Sequence, residues 1–467
     1  MFIKQLYTNC LSEAAYYIES EGEAAIIDPL RDTESYVELA KERNVGIKYI
    51  FETHFHADFV SGHLDLRKQT GAPIIYGPGA KTNFKIHNAT DGEVFSLGKI
   101  SIEVLHTPGH TIESCCFLLK DEAEKPYAIF TGDTLFVGDV GRPDLSSGNM
   151  TSEELAGIMY DTLQSKILPL KDDIIVYPAH GPGSSCGKNL GPNTFSTIGQ
   201  EKKTNYALQA QSKEDFVAAV TSGLNTAPKY FAINARINQE GYEDLSDIKL
   251  KGTKALSIEE FKSAINDDVI ILDTRHANEF TQGFVPGSVF IGLEGRFAEW
   301  AGSILPFDKD ILLITAPGKE EESVIRLSRV GFDKMRGYLK GGFESWKNAG
   351  EKVDMIIDIE ADELVMDIPH DPNLVVVDVR RETEFAEGHL ADAINLPLDE
   401  MTDVAQIASF EEKQNLYVHC AGGYRSVIAS SLLKKQGIHN LRNVLGGWNK
   451  IKEQEKVNIV KEASVLN

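Results

Sequence analysis

The chain has 467 residues, 42% hydrophobic and 25% charged, a composition that fits folded globular protein and, at roughly 150 residues per domain, about three domains. Its net charge of −23 argues against nucleic acid or an anionic membrane surface as the main partner, but leaves room for a small anion in a local basic pocket. No apolar run approaches the roughly 18 residues of a membrane span, the opening MFIKQLYTNC turns polar too early for a signal peptide, and five cysteines without a spaced framework point to a reducing, cytoplasmic setting.

Residues 1–200 read as short strands divided by turns, such as AAIID before Pro29 and KISIEVL after Gly98. Helical stretches intervene around Thr33–Arg43 and Ser152–Ser165. That mixture predicts a layered α/β unit. Residues 200–255 are polar and partly helical, and read as an elaboration plus linker. The remainder repeats itself: DTRHANEF at 273–280 matches DVRRETEF at 378–385, and KGGFESW from 340 matches LGGWNKI from 445. Asp273 to Asp378 and Gly341 to Gly446 share one offset of 105 positions, which indicates tandem homologous domains. Each copy predicts a parallel sheet with crossover helices, and the two are expected to be independent small α/β domains.

The first unit carries a metal-type constellation. THFHADFVSGH at 53–63 follows the strand KYIFE and places His54, His56 and Asp58 in a loop where alternate side chains can converge. HTPGH brings His110, TGDTLF brings Asp133 after YAIF, and VYPAHG brings His180 after DDIIV. Each ends a strand and begins a loop, where a rigid scaffold presents ligands. Imidazole and carboxylate without thiolate suit zinc or iron.

This pattern resembles the metallo-β-lactamase fold, over about residues 1–240. In that family's dinuclear hydrolases one metal falls on His54, His56, His110 and Asp133, and the second on Asp58, a following histidine, and His180. Here the following residue is Phe59, which cannot ligate, and His63 lies a helical turn beyond. The sequence is more similar to the persulfide dioxygenase branch, of the ethylmalonic-encephalopathy type. That resemblance implies one Fe(II) per chain on His54, His110 and Asp133, with His56, Asp58 and His180 orienting ligands or water, and zinc as the alternative metal. In GDVGRPDL, Arg142 either grips a substrate carboxylate or phosphate with Asp144 fixing it, or forms a structural ion pair. Tyr177, beside the His180 loop, either hydrogen-bonds substrate or is a half-buried strand-end tyrosine.

In the last copy, LYVHCAGGYRSVIASSLL at 416–433 reads as a buried strand, a short loop headed by Cys420, and a helix. Loop amides, the helix N-terminus and Arg425 favour a thiolate that accepts and passes on sulfane sulfur. With the DVR strand end and EGHLADAINLP, the tract resembles a rhodanese sulfurtransferase. In the middle copy Thr315 stands opposite Cys420, and TAPGKEEES places three glutamates where a thiolate needs positive charge, so this copy is inactive. Cys115 and Cys116, in SCCFLL, read as core, and Cys10 as structural. Cys186, in the Gly- and Ser-rich GPGSSCGKNLG, is expected to be exposed, either as a sulfur relay near the iron or as an incidental thiol.

The expected architecture is therefore a metallo-β-lactamase αββα sandwich over 1–245, an inactive rhodanese-like domain over 250–352 and an active one over 358–460. It resembles bacterial persulfide dioxygenase–sulfurtransferase fusions. The expected partners are a low-molecular-weight persulfide (of glutathione, coenzyme A or bacillithiol), dioxygen, and sulfite or thiosulfate, in a homo-oligomer such as a dimer or tetramer. A glyoxalase-II-like zinc thioester hydrolase is the rival reading.

Overall fold

The strand Glu13–Ser20 is buried along almost its whole length, which requires a layer against each of its faces. A computed structural model supplies both layers; it describes residues 1–145, 150–224, 226–408, 410–411 and 413–462. The chain divides into two compact units, Met1–Asp247 with Leu327–Phe332, and Ile248–Arg326 with Asp333–Asn467. Among the described residues no helix is long and apolar enough to cross a membrane.

The first unit stacks two six-stranded mixed sheets. One runs in chain order from Phe2–Thr8 through Glu13–Ser20, Glu23–Ile27, Gly46–Glu52 and Ile74–Tyr76 to His87–Asn88. The other runs Ser196–Thr197, Ile175–Pro178, Pro126–Gly132, Cys115–Lys120, Ile100–His106, Val94–Leu97. Tyr16, Ile18 and Phe51 from the first sheet meet Phe117, Leu119 and Phe130 from the second in the central core. Tyr17, Ile26, Ile50 and Ile74 face the other way, onto Tyr36 and Leu66 of the helices Glu34–Glu42 and His63–Thr70. Cys116, Ile129 and Val176 pack on Ala156, Met159 and Phe216 of the helices Ser152–Thr162 and Lys213–Thr221. The order helix, sheet, sheet, helix is the αββα sandwich expected from the sequence.

The second unit holds two five-stranded parallel sheets with the same connectivity. The first runs Ala255–Leu256, Met335–Leu339, Asp310–Ile314, Val269–Asp273, Val289–Phe290; the second runs Ile357–Ile359, Leu441–Val444, Asn415–His419, Leu374–Asp378, Ile394–Asn395. The repeat extends to side chains. Arg275 closes on Asp273 and on Gly283 O at 2.9 Å, and Arg380 closes on Asp378 and on Gly388 O at 2.8 Å.

The copies are not independent, contrary to the sequence expectation. They share one compact unit. In the helix Tyr424–Lys435, residues Ser426 to Ser431 are all buried, so one sheet cannot cover it and the neighbouring copy supplies the second face. Phe290 N donates to Ser431 Oγ at 3.0 Å, Thr281 Oγ1 to Asp358 Oδ2 at 2.6 Å, and Lys434 Nζ pairs with Asp354 at 2.9 Å.

Gly447 has φ +52 and lies directly against the carbonyl of Cys420, which also accepts from Trp448 N at 2.6 Å. A side chain there meets both a left-handed backbone and an immovable carbonyl. Gly447→Ala is expected to destabilise the second unit by about 3 kcal/mol, read as a lowered denaturation midpoint for that unit's transition.

Candidate functional site

Six polar side chains converge where strands of both sheets end. Nine-tenths or more of each is buried. Ligand atoms of His54, His110 and Asp133 lie within 4.8 Å of one another, as do those of His56, Asp58 and His180. Asp133 Oδ2 stands 3.7 Å from His54 Nε2 and 3.4 Å from His110 Nε2. His180 Nε2 is 3.5 Å from both Asp58 Oδ2 and Asp133 Oδ1. These separations are too long for good hydrogen bonds. They match two donors held about 2.0–2.2 Å from one cation. Both oxygens of Asp133, His180 Nε2 and Asp58 Oδ1 find no hydrogen-bond partner among the described residues. Buried polar atoms left in this way imply an absent partner, and a divalent cation fits.

The remaining ring nitrogens set the tautomers. His110 Nδ1 faces Arg142 O at 2.8 Å and His180 Nδ1 faces Ser12 O at 3.3 Å. A carbonyl only accepts, so each Nδ1 carries the proton and each Nε2 keeps its lone pair for a metal. Thr53 Oγ1 gives its hydrogen to Asp28 Oδ2 at 2.8 Å and so accepts from His54 Nδ1 at 3.0 Å. Burial, with His56, His110 and His180 nearby, holds the His54 pKa well below its ordinary 6.5, so it stays a neutral ligand.

His56 behaves differently. Burial pulls its pKa down, but Asp28, Glu52 and Asp58 outweigh that and push it up to about 9. Its Nε2 lies 3.1 Å from Asp28 Oδ1 and 3.6 Å from Glu52 Oε2. Phe59 is fully buried and packs on the His56 ring, 4.3 Å between centroids. His63 points away to Glu52, at 3.4 Å.

The loop owes its shape to a residue that no motif marked. Asn238, on the helix Phe231–Glu240, accepts from Ser61 N at 2.9 Å and donates to His56 O at 2.8 Å and Phe59 O at 2.9 Å. It lies some 180 positions downstream in the stretch read as elaboration and linker. Its only sequence signal is a polar residue on the apolar side of an amphipathic helix.

Cys186 is not exposed. It is 2% accessible, and its sulfur lies within 4.8 Å of ligand atoms of Asp133 and His180. The Gly- and Ser-rich loop folds inward because Asp139 Oδ2 accepts from Lys188 N and Asn189 N, and Arg142 N donates to Cys186 O at 3.1 Å. Burial, with Asp58 and Asp133 beside it, pushes the thiol pKa well up. Arg142 is buried and bidentate on Asp144 at 2.8 and 2.6 Å, while its backbone carbonyl orients His110. The Tyr177 ring stacks on Phe130 at 5.4 Å and packs on the central core. Cys115 and Cys116 are core residues, as expected.

In the second unit Cys420 heads the turn between the strand Asn415–His419 and the helix Tyr424–Lys435. Gly423, at φ +106, donates its N–H to Cys420 Sγ at 3.1 Å. Arg425 lies within electrostatic reach of the sulfur, and its guanidinium is gripped by Glu384 at 2.6 and 2.8 Å. Its charge is therefore partly offset. Thr315 occupies the equivalent position in the other copy.

Comparison with known proteins agrees with this geometry. Residues 8–180 match the Metallo-beta-lactamase superfamily, and residues 257–349 and 360–454 each match the rhodanese-like domain. The chain is 31% identical over 216 residues to a hydroxyacylglutathione hydrolase, GloC, of Haemophilus influenzae, covering 42% of this chain and 91% of the relative. It is also 31% identical over 199 residues to the mitochondrial persulfide dioxygenase ETHE1 of Homo sapiens, covering 42% of this chain and 70% of the relative. A solved metallo-beta-lactamase of Staphylococcus aureus superposes with a TM-score of 0.65 at 34% identity, covering 73% of this chain and 99% of the other.

Removing the Asn238 amide frees three backbone groups of the ligand loop. Asn238→Ala is expected to weaken metal binding about 10- to 100-fold with the circular dichroism spectrum unchanged, measured by competition with a chromogenic chelator.

Proposed function

This chain belongs to the metallo-beta-lactamase superfamily and carries two rhodanese-like domains, and from that premise we propose that it is a bifunctional sulfur enzyme. Its first unit would be a non-haem iron persulfide dioxygenase, and Cys420 would carry sulfane sulfur. The overall conversion is RSSH + O2 + H2O to RSH + sulfite + 2H+. The observation that carries this reading is the fate of two side chains: Phe59 stands where a second metal would need a histidine, and His56 leans on Asp28 and Glu52. What remains is a set of two histidines and one carboxylate, His54, His110 and Asp133. A ferrous ion on that set supplies the redox chemistry and the open positions that a persulfide sulfur and dioxygen require.

The chain's own groups supply the rest. The carbonyls of Arg142 and Ser12 and the hydroxyl of Thr53 fix the imidazole orientations. Asp58 and His180 face the cluster with unpartnered atoms and can hold a water and its proton. Burial beside Asp58 and Asp133 keeps the Cys186 thiol protonated, which weighs against the sulfur-relay role and for an incidental thiol. The Arg142–Asp144 pair can meet an anionic group of the substrate only by opening, and Tyr177 serves the packing behind the site. At Cys420, a sulfane sulfur taken from a donor would form a cysteine persulfide, and its transfer to sulfite would give thiosulfate. The two reactions share persulfide and sulfite, which gives the fusion a chemical reason.

One observation favours a second reading. His56, Asp58 and His180 still lie close enough to share an ion, and the GloC relative is named a hydroxyacylglutathione hydrolase. A two-zinc hydrolase would use both clusters.

Oxygen consumption by iron-loaded protein with glutathione persulfide, together with metal content, separates the readings. About one iron per chain and oxygen uptake matched by sulfite or thiosulfate support the dioxygenase; two zincs and no uptake with any persulfide would overturn it. Asp133→Ala is expected to abolish metal binding and uptake while leaving sulfur transfer at Cys420 intact. Cys420→Ser is expected to do the reverse, and unchanged thiosulfate chemistry in that variant would remove the sulfurtransferase role.

A further inference from the structure

The sulfurtransferase reading gives the cysteine-less copy no task, yet that copy reaches the Cys420 loop in two places. Tyr424, inside the loop, donates its hydroxyl to Gly292 O at 2.6 Å and packs edge-on against Phe290. The second contact is electrostatic. Glu299, on the helix Phe297–Ile304 of the cysteine-less copy, is only 8% accessible. It pairs with Arg296 on its own helix turn and stands 3.5 Å from Arg381 of the last copy. It also lies within electrostatic reach of Arg425 and Asp399. Arg425, held by Glu384, in turn acts on Cys420. Arg296, Arg381 and Arg425 therefore surround Glu299, and Arg425, shared with Glu384, is the one of them that reaches the sulfur.

A buried carboxylate in this position is costly, and stability alone would be served as well by an apolar side chain. A local balance of charge next to a nucleophile has a direct chemical effect. Sulfur donors differ in charge: thiosulfate is a dianion, whereas a deprotonated persulfide group carries one negative charge. A strongly positive mouth favours the dianion, and a balanced one removes that advantage. We propose that Glu299 is a positioning residue of the cysteine-less copy that sets the charge selectivity at Cys420. It holds Arg381 and offsets Arg425, so that singly charged sulfur donors compete with dianions. The inference rests on Cys420 being the sulfur carrier.

The test uses the full chain and two small alkylating probes of similar size, anionic iodoacetate and neutral iodoacetamide. In each reaction the Cys420 thiolate forms a carbon–sulfur bond and iodide leaves; mass spectrometry of the Cys420 peptide gives the rates. Glu299→Gln is expected to raise the iodoacetate-to-iodoacetamide rate ratio about threefold, the order expected for one partly screened charge. Arg381→Gln is expected to lower it by a similar factor, and Glu299→Asp to restore the wild-type ratio. A purely structural role would change both probes alike and leave the ratio unmoved. An unchanged ratio in Glu299→Gln overturns the inference; if that variant does not fold, Glu299→Ala, which removes the same charge, decides. Transfer of sulfur to cyanide by the wild-type protein is measured alongside with thiosulfate and with glutathione persulfide as donors: its absence with both would sink the sulfurtransferase reading, whatever the ratios show.

Discussion

The metal-type cluster depends on one buried carboxylate that touches no candidate iron ligand. Asp28 ends the strand Glu23–Ile27 with its backbone at φ +50, which turns the side chain under the next strand's loop. It accepts from Thr53 N at 2.7 Å and Thr53 Oγ1 at 2.8 Å, and faces His56 Nε2 at 3.1 Å. Through Thr53 it dictates which nitrogen of His54 bears the proton, and directly it faces His56 Nε2 with a carboxylate oxygen. One acid thus distinguishes two adjacent histidines that the HxHxD pattern presents as equals. Placed on a rigid strand end, it does so without a moving part.

The parts legible in the sequence are those written in local or repeated patterns. The six convergent side chains occupy short motifs at strand ends, and a common offset of 105 positions exposed the tandem copies before any sheet was seen. The parts that were not legible are long-range. Asn238 reaches back across about 180 residues, and Glu299 stands 3.5 Å from an arginine 82 positions further on. Cys186 was misread for a related reason: small residues usually line exposed loops, but here two carboxylate hydrogen bonds from Asp139 and the Arg142 backbone draw the loop inward. Composition describes a segment, whereas burial is decided by partners elsewhere in the chain.

The middle copy shows which parts of its motif serve shape. Asp273 and Arg275 close the same bidentate pair as Asp378 and Arg380, with the same second hold on a glycine carbonyl eight residues beyond each arginine. Since the pair persists where Thr315 has replaced the cysteine, it belongs to the scaffold. The chemistry of the last copy therefore rests on the short turn from Cys420 to Arg425, and on whatever shapes the space in front of it.

The turn behind that space is rigid. The carbonyl of Cys420 is pinned by Trp448 N, and Gly447 leaves no gap behind it, so the turn cannot retreat from an incoming molecule. With Cys420 only 2% accessible, whatever meets its sulfur has to reach in on a slender, extended arm. Any sulfur exchanged there would enter and leave along the same line, because forward and reverse transfer share one transition state, so the rigid turn would screen donors and acceptors alike by their reach.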